Sequence, residues 1–253
     1  MYILKIYCRL FATKNQRIWL VVNTIGGDRS KPKCKTKKWS NVDNGKNKQS
    51  LTEGVYQKIK DLIIYNGLLP GEIITVGEMA ERFNVSKTPI RDSLNTLKHE
   101  GLVEVLPYKG FLVRRVDVKE LLDLFQLRII LEGSGAELAA KNILPQQLEQ
   151  LKDLASRCKE SHENSHSLMR LNYDFHMAIA KGSGNQYIYS FLSNVLNQLQ
   201  RVLYADLTAG NRSDMHVEHE DIIGFIQTGD GENARKALVS QIEATRNRIM
   251  KVV

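Results

Sequence analysis

The stretch NVSKTPIRDSLNTLKHEGLVEVLPYKGFLV, from Asn84 to Val113, decides the fold of the first half of the chain. It predicts a helix with Ser86 as its N-cap, because a serine hydroxyl can cap free backbone N–H groups and Pro89 is tolerated in a first turn. Apolar residues recur at helical spacing, and Gly101 then provides a left-handed stop. Two β-prone segments follow, joined by the turn 107–110. We therefore expect a helix and then a two-stranded ribbon.

The residues before this stretch complete a winged helix-turn-helix. Ser50 and Glu53 have capping-box spacing ahead of a helix predicted to end at about Tyr65. Thr75 and Glu78 repeat that spacing before a short second helix, which ends in a residue suited to a left-handed turn. A small helical domain with an unrelated hairpin is the weaker alternative.

Polar side chains gather at the N-terminal end of the third predicted helix. Lys87, Thr88 and Arg91 fall together on the face opposite its apolar stripe. A helix that reads the major groove presents its base-contacting side chains from this end. The pattern therefore indicates a DNA-reading surface.

The net charge of +8 is unevenly distributed along the chain. Residues 1–50 contain 12 Lys and Arg against 2 Asp and Glu, residues 51–115 contain 9 against 8, and residues 116–253 contain 15 against 18. The net charge of residues 51–115 therefore does not by itself indicate DNA binding, whereas the positions of individual basic side chains do. A near-neutral domain favours specific binding by dimers over general adhesion to DNA.

Residues 1–48 are Lys-rich and predicted to be a disordered extension. A basic arm could add phosphate affinity, but an extension outside the folded protein, such as a misassigned start, fits better. Its apolar runs are too short for a membrane span or a secretory signal. Cys8, Cys34 and Cys158 show neither paired nor metal-ligand spacing, which fits a reducing cytoplasm.

From Val116 onward the pattern predicts six helices, enough to bury a core of their own. Three of the apolar stripes are interrupted by the polar residues Asn172, His176, His219 and Gln241. Buried polar groups need partners, since leaving them unpaired costs a few kcal/mol. The four side chains either converge on one internal site or are independent polar residues of the core.

The motifs GLLPGEII, VSKTPIRDSL and EGLV, with a wing that ends in Pro-x-x-Gly, resemble the N-terminal domain of the GntR family of bacterial transcription regulators. The resemblance covers residues 51–115 without a gap. It implies that Ser86, Lys87, Thr88 and Arg91 touch bases and phosphates, and that Lys109 and Gly110 enter the minor groove. Gly77 stands where relatives often have an arginine, so one DNA contact is expected to be missing.

The motifs DLFQLRIILEGSGAELAA, NYDFHMAIAKGSGNQYI and EHEDIIGFIQTGDGENARKAL resemble the FCD ligand-binding domain, in particular its six-helix, VanR-like branch. Many such domains hold a divalent metal with one aspartate and three histidines. Here the resemblance places Asn172 on the aspartate, His176 and His219 on two histidines, and Gln241 on the third. Zn, Ni or Mn binding would be weakened, because transition metals favour imidazole over amide oxygen. The alternative is that these side chains bind an effector directly.

Arg128 lies within an otherwise apolar helix and matches an arginine typical of the FCD domain. A guanidinium beside a pocket would bind a carboxylate through two hydrogen bonds, which favours a small organic acid or sugar acid as effector. Glu132 lies four residues further on, so a buried ion pair is an equal alternative. Arg201 is a weaker candidate of the same kind.

Together these features predict a mainly α-helical protein, with a winged helix-turn-helix at 49–115 and an all-α six-helix domain at 116–253 that binds effector and dimerises. We expect a cytoplasmic, homodimeric transcription regulator, by family habit a repressor, that binds a palindromic DNA operator. A regulator that needs no ligand is one alternative. An enzyme is a remote one, because half of the metal ligands are amides and no GxSxG pattern occurs.

Overall fold

The computed structural model of the protein describes residues 48–161, 165–208 and 218–251. The predicted arm lies outside these ranges except for Lys48, and so do Cys8 and Cys34. Cys158 lies within them as a buried free thiol, and burial raises its pKa to about 12.

The N-terminal domain is a winged helix-turn-helix. Its elements are α1 (Lys48–Ile64), β1 (Ile73–Ile74), α2 (Val76–Phe83), α3 (Lys87–His99), β2 (Val103–Leu106) and β3 (Gly110–Val113). The strands form an antiparallel sheet in the order β1-β3-β2. The three helices and the sheet enclose one apolar core, in which Ile59, Ile90 and Leu94 are fully buried.

Several predicted helix ends are confirmed. Thr75 caps α2 by accepting a hydrogen bond from the backbone N–H of Glu78 at 3.1 Å, and its hydroxyl donates to the carboxylate of that residue. Asn84 has a φ of 54° and Gly101 has a φ of 74°, so both adopt the left-handed conformation that ends a helix.

Two details of the prediction are wrong, and a third is confirmed only in part. α1 already includes Ser50, so that residue is not its N-cap. Ser86 does occupy the N-cap position of α3, but its side chain makes no capping hydrogen bond. The ribbon has a third strand, because Ile73 and Ile74 pair with Leu112 and Phe111.

Six helices form the described part of the C-terminal domain, as predicted. They are α4 (Val118–Asn142), α5 (Pro145–Glu160), α6 (Ser165–Gly182), α7 (Gln186–Thr208), α8 (Glu218–Thr228) and α9 (Gly231–Met250). Asp117 caps α4 by accepting a hydrogen bond from the N–H of Glu120 at 2.8 Å. Helix α4 packs against α6, α7, α8 and α9. It is therefore the central helix of the domain.

Helix α7 joins the two domains. Arg201 donates a hydrogen bond to the backbone carbonyl of Arg114 at 2.7 Å, and the Asn197 amide donates to the carboxylate of Glu100 at 3.3 Å. Glu100 follows the last residue of α3 and also accepts from Tyr56 and pairs with Lys60 of α1. The C-terminal end of α3 is thus held by α1 and by the helical domain.

An aromatic cluster forms a second contact between the domains. The ring of Tyr65, the residue that follows α1, stacks on His166 of α6, with 3.3 Å between their centroids. Tyr204 of α7 meets both rings edge-on. No helix in the described ranges has the length and apolar character needed to cross a membrane.

Candidate DNA-binding surface and effector pocket

The N-terminal turn of α3 presents the predicted DNA-contacting side chains to solvent. Ser86, Lys87, Thr88 and Arg91 are all exposed. None of the four side chains makes a hydrogen bond or ion pair with another described residue. Ser93, on the opposite face of α3, is buried and bonds to the Thr52 carbonyl of α1 at 3.2 Å. The helix is therefore anchored on one side and leaves the other side available to DNA.

The tip of the wing is a tight turn between β2 and β3. The N–H of Lys109 donates to the carbonyl of Leu106 at 3.1 Å, and Pro107 precedes Tyr108, which has a φ of 63°. These features define a type II turn, which favours glycine or asparagine at its third position. A tyrosine in the left-handed conformation costs about 1–2 kcal/mol.

Gly110 has a structural reason to be glycine. Its φ is 122°, and a Cβ at this position would collide with the carbonyl oxygen of Ile74 in β1. The wing tip therefore packs closely against β1. Lys109 is exposed beside it, as a minor-groove contact requires.

Three of the four predicted polar residues of the helical domain meet in one pocket. Its polar lining consists of Arg128, Asn172, His176, Asp206, Gln241 and Thr245, and its apolar lining of Met169, Leu203 and Ile242. The cavity measures about 30 Å³, which is room for one or two water molecules. The Oε1 atom of Gln241 is buried and has no hydrogen-bond partner among the described residues.

His219 is the predicted residue that does not line this pocket. Its ring is buried and stacks on Phe175 at a centroid distance of 3.8 Å. Its centroid is 6.1 Å from that of His176. His219 is therefore close to His176 but is not part of the pocket lining.

Arg128, Glu132 and His176 form a buried triad at one side of the pocket. Arg128 Nε donates to Glu132 Oε1 at 2.5 Å, and Arg128 Nη2 lies 3.1 Å from His176 Nε2. A guanidinium can only donate, so Nε2 accepts and the ring proton lies on Nδ1, which donates to the second oxygen of Glu132. The ion pair expected as an alternative role for Arg128 is thus present.

Glu132 is charged within this triad. Burial by itself would raise its pKa, but the positive charge of Arg128, the pairing with His176 and hydrogen bonds from both lower the pKa to about 2. Since Arg128 Nε and Nη2 are engaged, Nη1 is the guanidinium nitrogen that makes no hydrogen bond with the described residues. It is the part of Arg128 left for a ligand.

The arrangement does not fit a divalent metal. Both ring nitrogens of His176 are engaged, one by Glu132 and the other by a cationic guanidinium. The other two predicted ligands that line the pocket, Asn172 and Gln241, are neutral amides. No group of three or more His, Cys, Asp or Glu side chains within the described residues could hold a metal ion.

Two residues of the pocket lining were not among the predicted site residues, and one predicted candidate, Arg201, lies outside the pocket. Asp206 lines the pocket and pairs with Arg248 of α9 at 2.9 Å, and Thr245 adds a hydroxyl. A residue near the end of a long helix carries no periodic signal that separates a pocket position from a surface one. Arg201 lies at the domain boundary and does not line the pocket.

A winged helix-turn-helix with an exposed reading helix, joined to a helical domain with a polar pocket, defines a class of DNA-binding regulators. Residues 51–113 match the model of bacterial regulatory proteins of the gntR family, and residues 123–244 match that of the FCD domain. The chain belongs to the GntR family and carries an FCD domain.

Relatives and a solved structure agree with this assignment. The chain is 26% identical to the Nta operon transcriptional regulator of Aminobacter aminovorans over 73% of this chain and 87% of the relative. It is 22% identical to the HTH-type transcriptional repressor RspR of Escherichia coli, over 81% of this chain and 91% of the relative. The structure of E. coli McbR/YncC matches with a TM-score of 0.70 at 22% identity, over 79% of this chain and 97% of that structure. The two proteins therefore share the fold. The protein is a transcription regulator and not an enzyme.

Proposed function

We propose that the protein is a homodimeric regulator whose affinity for a palindromic operator changes when a small carboxylate binds in the pocket between α4, α6, α7 and α9. The observation that carries the proposal is that one cavity holds both a guanidinium nitrogen of Arg128 and the unsatisfied, buried amide oxygen of Gln241. The proposal includes action as a repressor in the cytoplasm, and RspR, a relative, is called a repressor.

The pocket chemistry favours an acid that also carries a hydroxyl group. Nη1 of Arg128 can donate to a carboxylate oxygen, and charge-assisted hydrogen bonds of this kind are the strong ones. Oε1 of Gln241 needs a donor, which a ligand hydroxyl would supply. A hydroxy acid or sugar acid fits both groups.

A cavity of about 30 Å³ is smaller than a hydroxy acid or sugar acid, so the side chains or helices that line it must move when such a ligand binds. Helix α7 is suited to this movement. Leu203 and Asp206 line the pocket, while Asn197, Arg201 and Tyr204 of the same helix contact the winged domain. A shift of α7 would therefore alter the position of the reading helix. Ligand binding and DNA binding would then be linked by a coupling free energy between the two sites.

A dimer interface is supported by exposed apolar side chains on two helices that pack against each other. Leu122, Leu127 and Ile130 of α4 and Tyr187 and Phe191 of α7 are at least 42% exposed. Exposed apolar patches mark interaction surfaces, and a two-fold dimer would present two reading helices to a palindrome.

The first test is thermal unfolding of the full chain with a panel of hydroxy acids and their neutral amides. We expect an active acid to raise Tm by several degrees and to change operator affinity by about 5- to 150-fold, as is usual for allosteric coupling. The matching amide should do neither. Thr245→Val should weaken the response without disturbing the triad, whereas Thr228→Val in α8 is the control. If no acid in the panel changes Tm or operator affinity, the result would instead favour a regulator that needs no ligand.

A second test concerns metal. We expect Asn172→Asp with Gln241→His to raise the affinity for Zn or Ni by more than about tenfold, because a carboxylate and an imidazole replace two amides. The wild type should bind weakly, since Asn172 and Gln241 are neutral amides; a metal must displace Arg128 from His176 Nε2 in both proteins, so the comparison isolates the two replaced side chains. Calorimetric titration of both proteins measures the difference. No gain in the double variant would mean that these side chains cannot share one metal.

A further inference from the structure

Tyr108 at the wing tip is the most exposed large apolar residue of the described chain, and its backbone is strained. Its side chain is fully exposed, and its φ of 63° is a conformation that a bulky residue rarely adopts. It stands at the turn position where glycine or asparagine would be free of strain.

No contact within the described part of the chain accounts for the aromatic ring of Tyr108. Tyr108 makes no side-chain hydrogen bond and no ring contact with any described residue. Strained residues persist where they serve a function, so a strained and exposed aromatic residue points to a ligand outside the chain.

The turn holds the backbone of Tyr108 in a defined position, from which the side chain projects into solvent. Pro107 fixes the backbone on one side, and on the other Gly110 lies directly against the carbonyl of Ile74. Pairing of β3 with both β1 and β2 anchors the base of the turn. A contact made from such a turn loses little conformational entropy on binding.

We propose that the Tyr108 ring enters the minor groove beside Lys109 and makes the protein prefer A·T pairs there. The proposal rests on DNA binding by the winged domain as proposed above. Only G·C pairs place an amino group in the minor groove, and this group would obstruct a ring that packs against the base edges. The narrow groove of A·T tracts also attracts the neighbouring Lys109 cation.

The first experiment separates stability from binding. An operator is selected from random DNA duplexes with the full-length wild-type protein, and Tyr108→Asn is compared with it. Asparagine tolerates the left-handed conformation, so the variant should melt at a higher temperature and yet bind the operator at least fivefold more weakly. Tyr108→Phe should bind within twofold of wild type, because the ring makes the contact. Val105→Thr, an exposed substitution on β2, is the control.

The second experiment tests the groove. A·T pairs beside each half-site are replaced by G·C or by inosine·C, which has the major-groove pattern of G·C but lacks its minor-groove amino group. The wild type should bind the inosine operator like the A·T operator and the G·C operator more weakly, and Tyr108→Asn should bind all three alike.

The outcomes separate this inference from the proposed function. If Arg91→Ala weakens operator binding while Tyr108→Asn binds like wild type, the Tyr108 proposal fails alone. An inosine operator bound as weakly as the G·C operator, or a Tyr108→Phe variant as weak as Tyr108→Asn, overturns it too. If neither Arg91→Ala nor Tyr108→Asn affects binding, the winged domain does not read the operator and the proposed function fails as well.

Discussion

Glu132→Gln is expected to lower the free energy of unfolding by about 3–5 kcal/mol, the usual result of leaving one partner of a buried ion pair alone. The variant keeps the shape of the side chain but removes the charge that faces Arg128 and His176. Urea unfolding at pH 7, followed by circular dichroism, measures the change. Glu137→Gln is the matched control, because Glu137 lies on the same helix in partly exposed pairs with Lys141 and Arg235.

The same variant should change how stability depends on pH. The pKa of Glu132 is lowered to about 2 in the folded protein, against about 4.3 for an unfolded glutamate. The ionised form is thus favoured by folding, so its stabilising effect is complete above the unfolded pKa and is lost as the pH falls toward 2. The stability gap between wild type and Glu132→Gln should stay constant from pH 7 to 5 and narrow below about pH 4.3. A gap that persists unchanged at pH 3 would contradict a charged Glu132.

Arg91→Ala should weaken operator binding by about 1–3 kcal/mol and relax the preference at one base pair in each half-site, if the guanidinium contacts a base through two hydrogen bonds. Its side chain is exposed at the N-terminal end of α3 and engages no other described residue. Lys87→Ala should weaken binding more evenly across sequences and reduce its salt dependence, as expected for a phosphate contact.

Fluorescence anisotropy with the selected operator and single-base variants measures both effects. Lys98→Ala is the control, because Lys98 is exposed in the last turn of the same helix, away from the predicted surface. If Arg91→Ala and Lys87→Ala both bind the operator as the wild type does, α3 is not the reading helix.

Local features of the winged domain could be predicted because they depend on neighbouring residues. Asn84 and Gly101 adopt the left-handed conformations that their residue types favour, and Thr75 caps its own helix. β1 was missed because two residues are too few to show alternation, and Ile73 and Ile74 form a strand through pairing with β3.

The pocket could be predicted only in part. The period of each helix identified Asn172, His176 and Gln241 as inward-facing, but which inward faces meet is decided by the packing of α4 against its neighbours. His219 is inward-facing too, yet Phe175 covers it. The i,i+4 spacing suggested the pair of Arg128 with Glu132, whereas the contact with His176 joins two helices and has no sequence signal.

The contacts of α7 with the winged domain set a rule for exchanging domains between regulators of this family. Arg201 binds a backbone carbonyl, which any grafted winged domain would supply. Asn197 needs a carboxylate at position 100, and Tyr204 needs an aromatic ring at position 65. A chimaera that joins a foreign reading domain at the 116–119 junction should therefore keep its response only if Glu100 and Tyr65 are transplanted with the helical domain. A chimaera assembled without them would keep only the Arg201 contact of α7, and the proposed coupling between its two domains should be weaker.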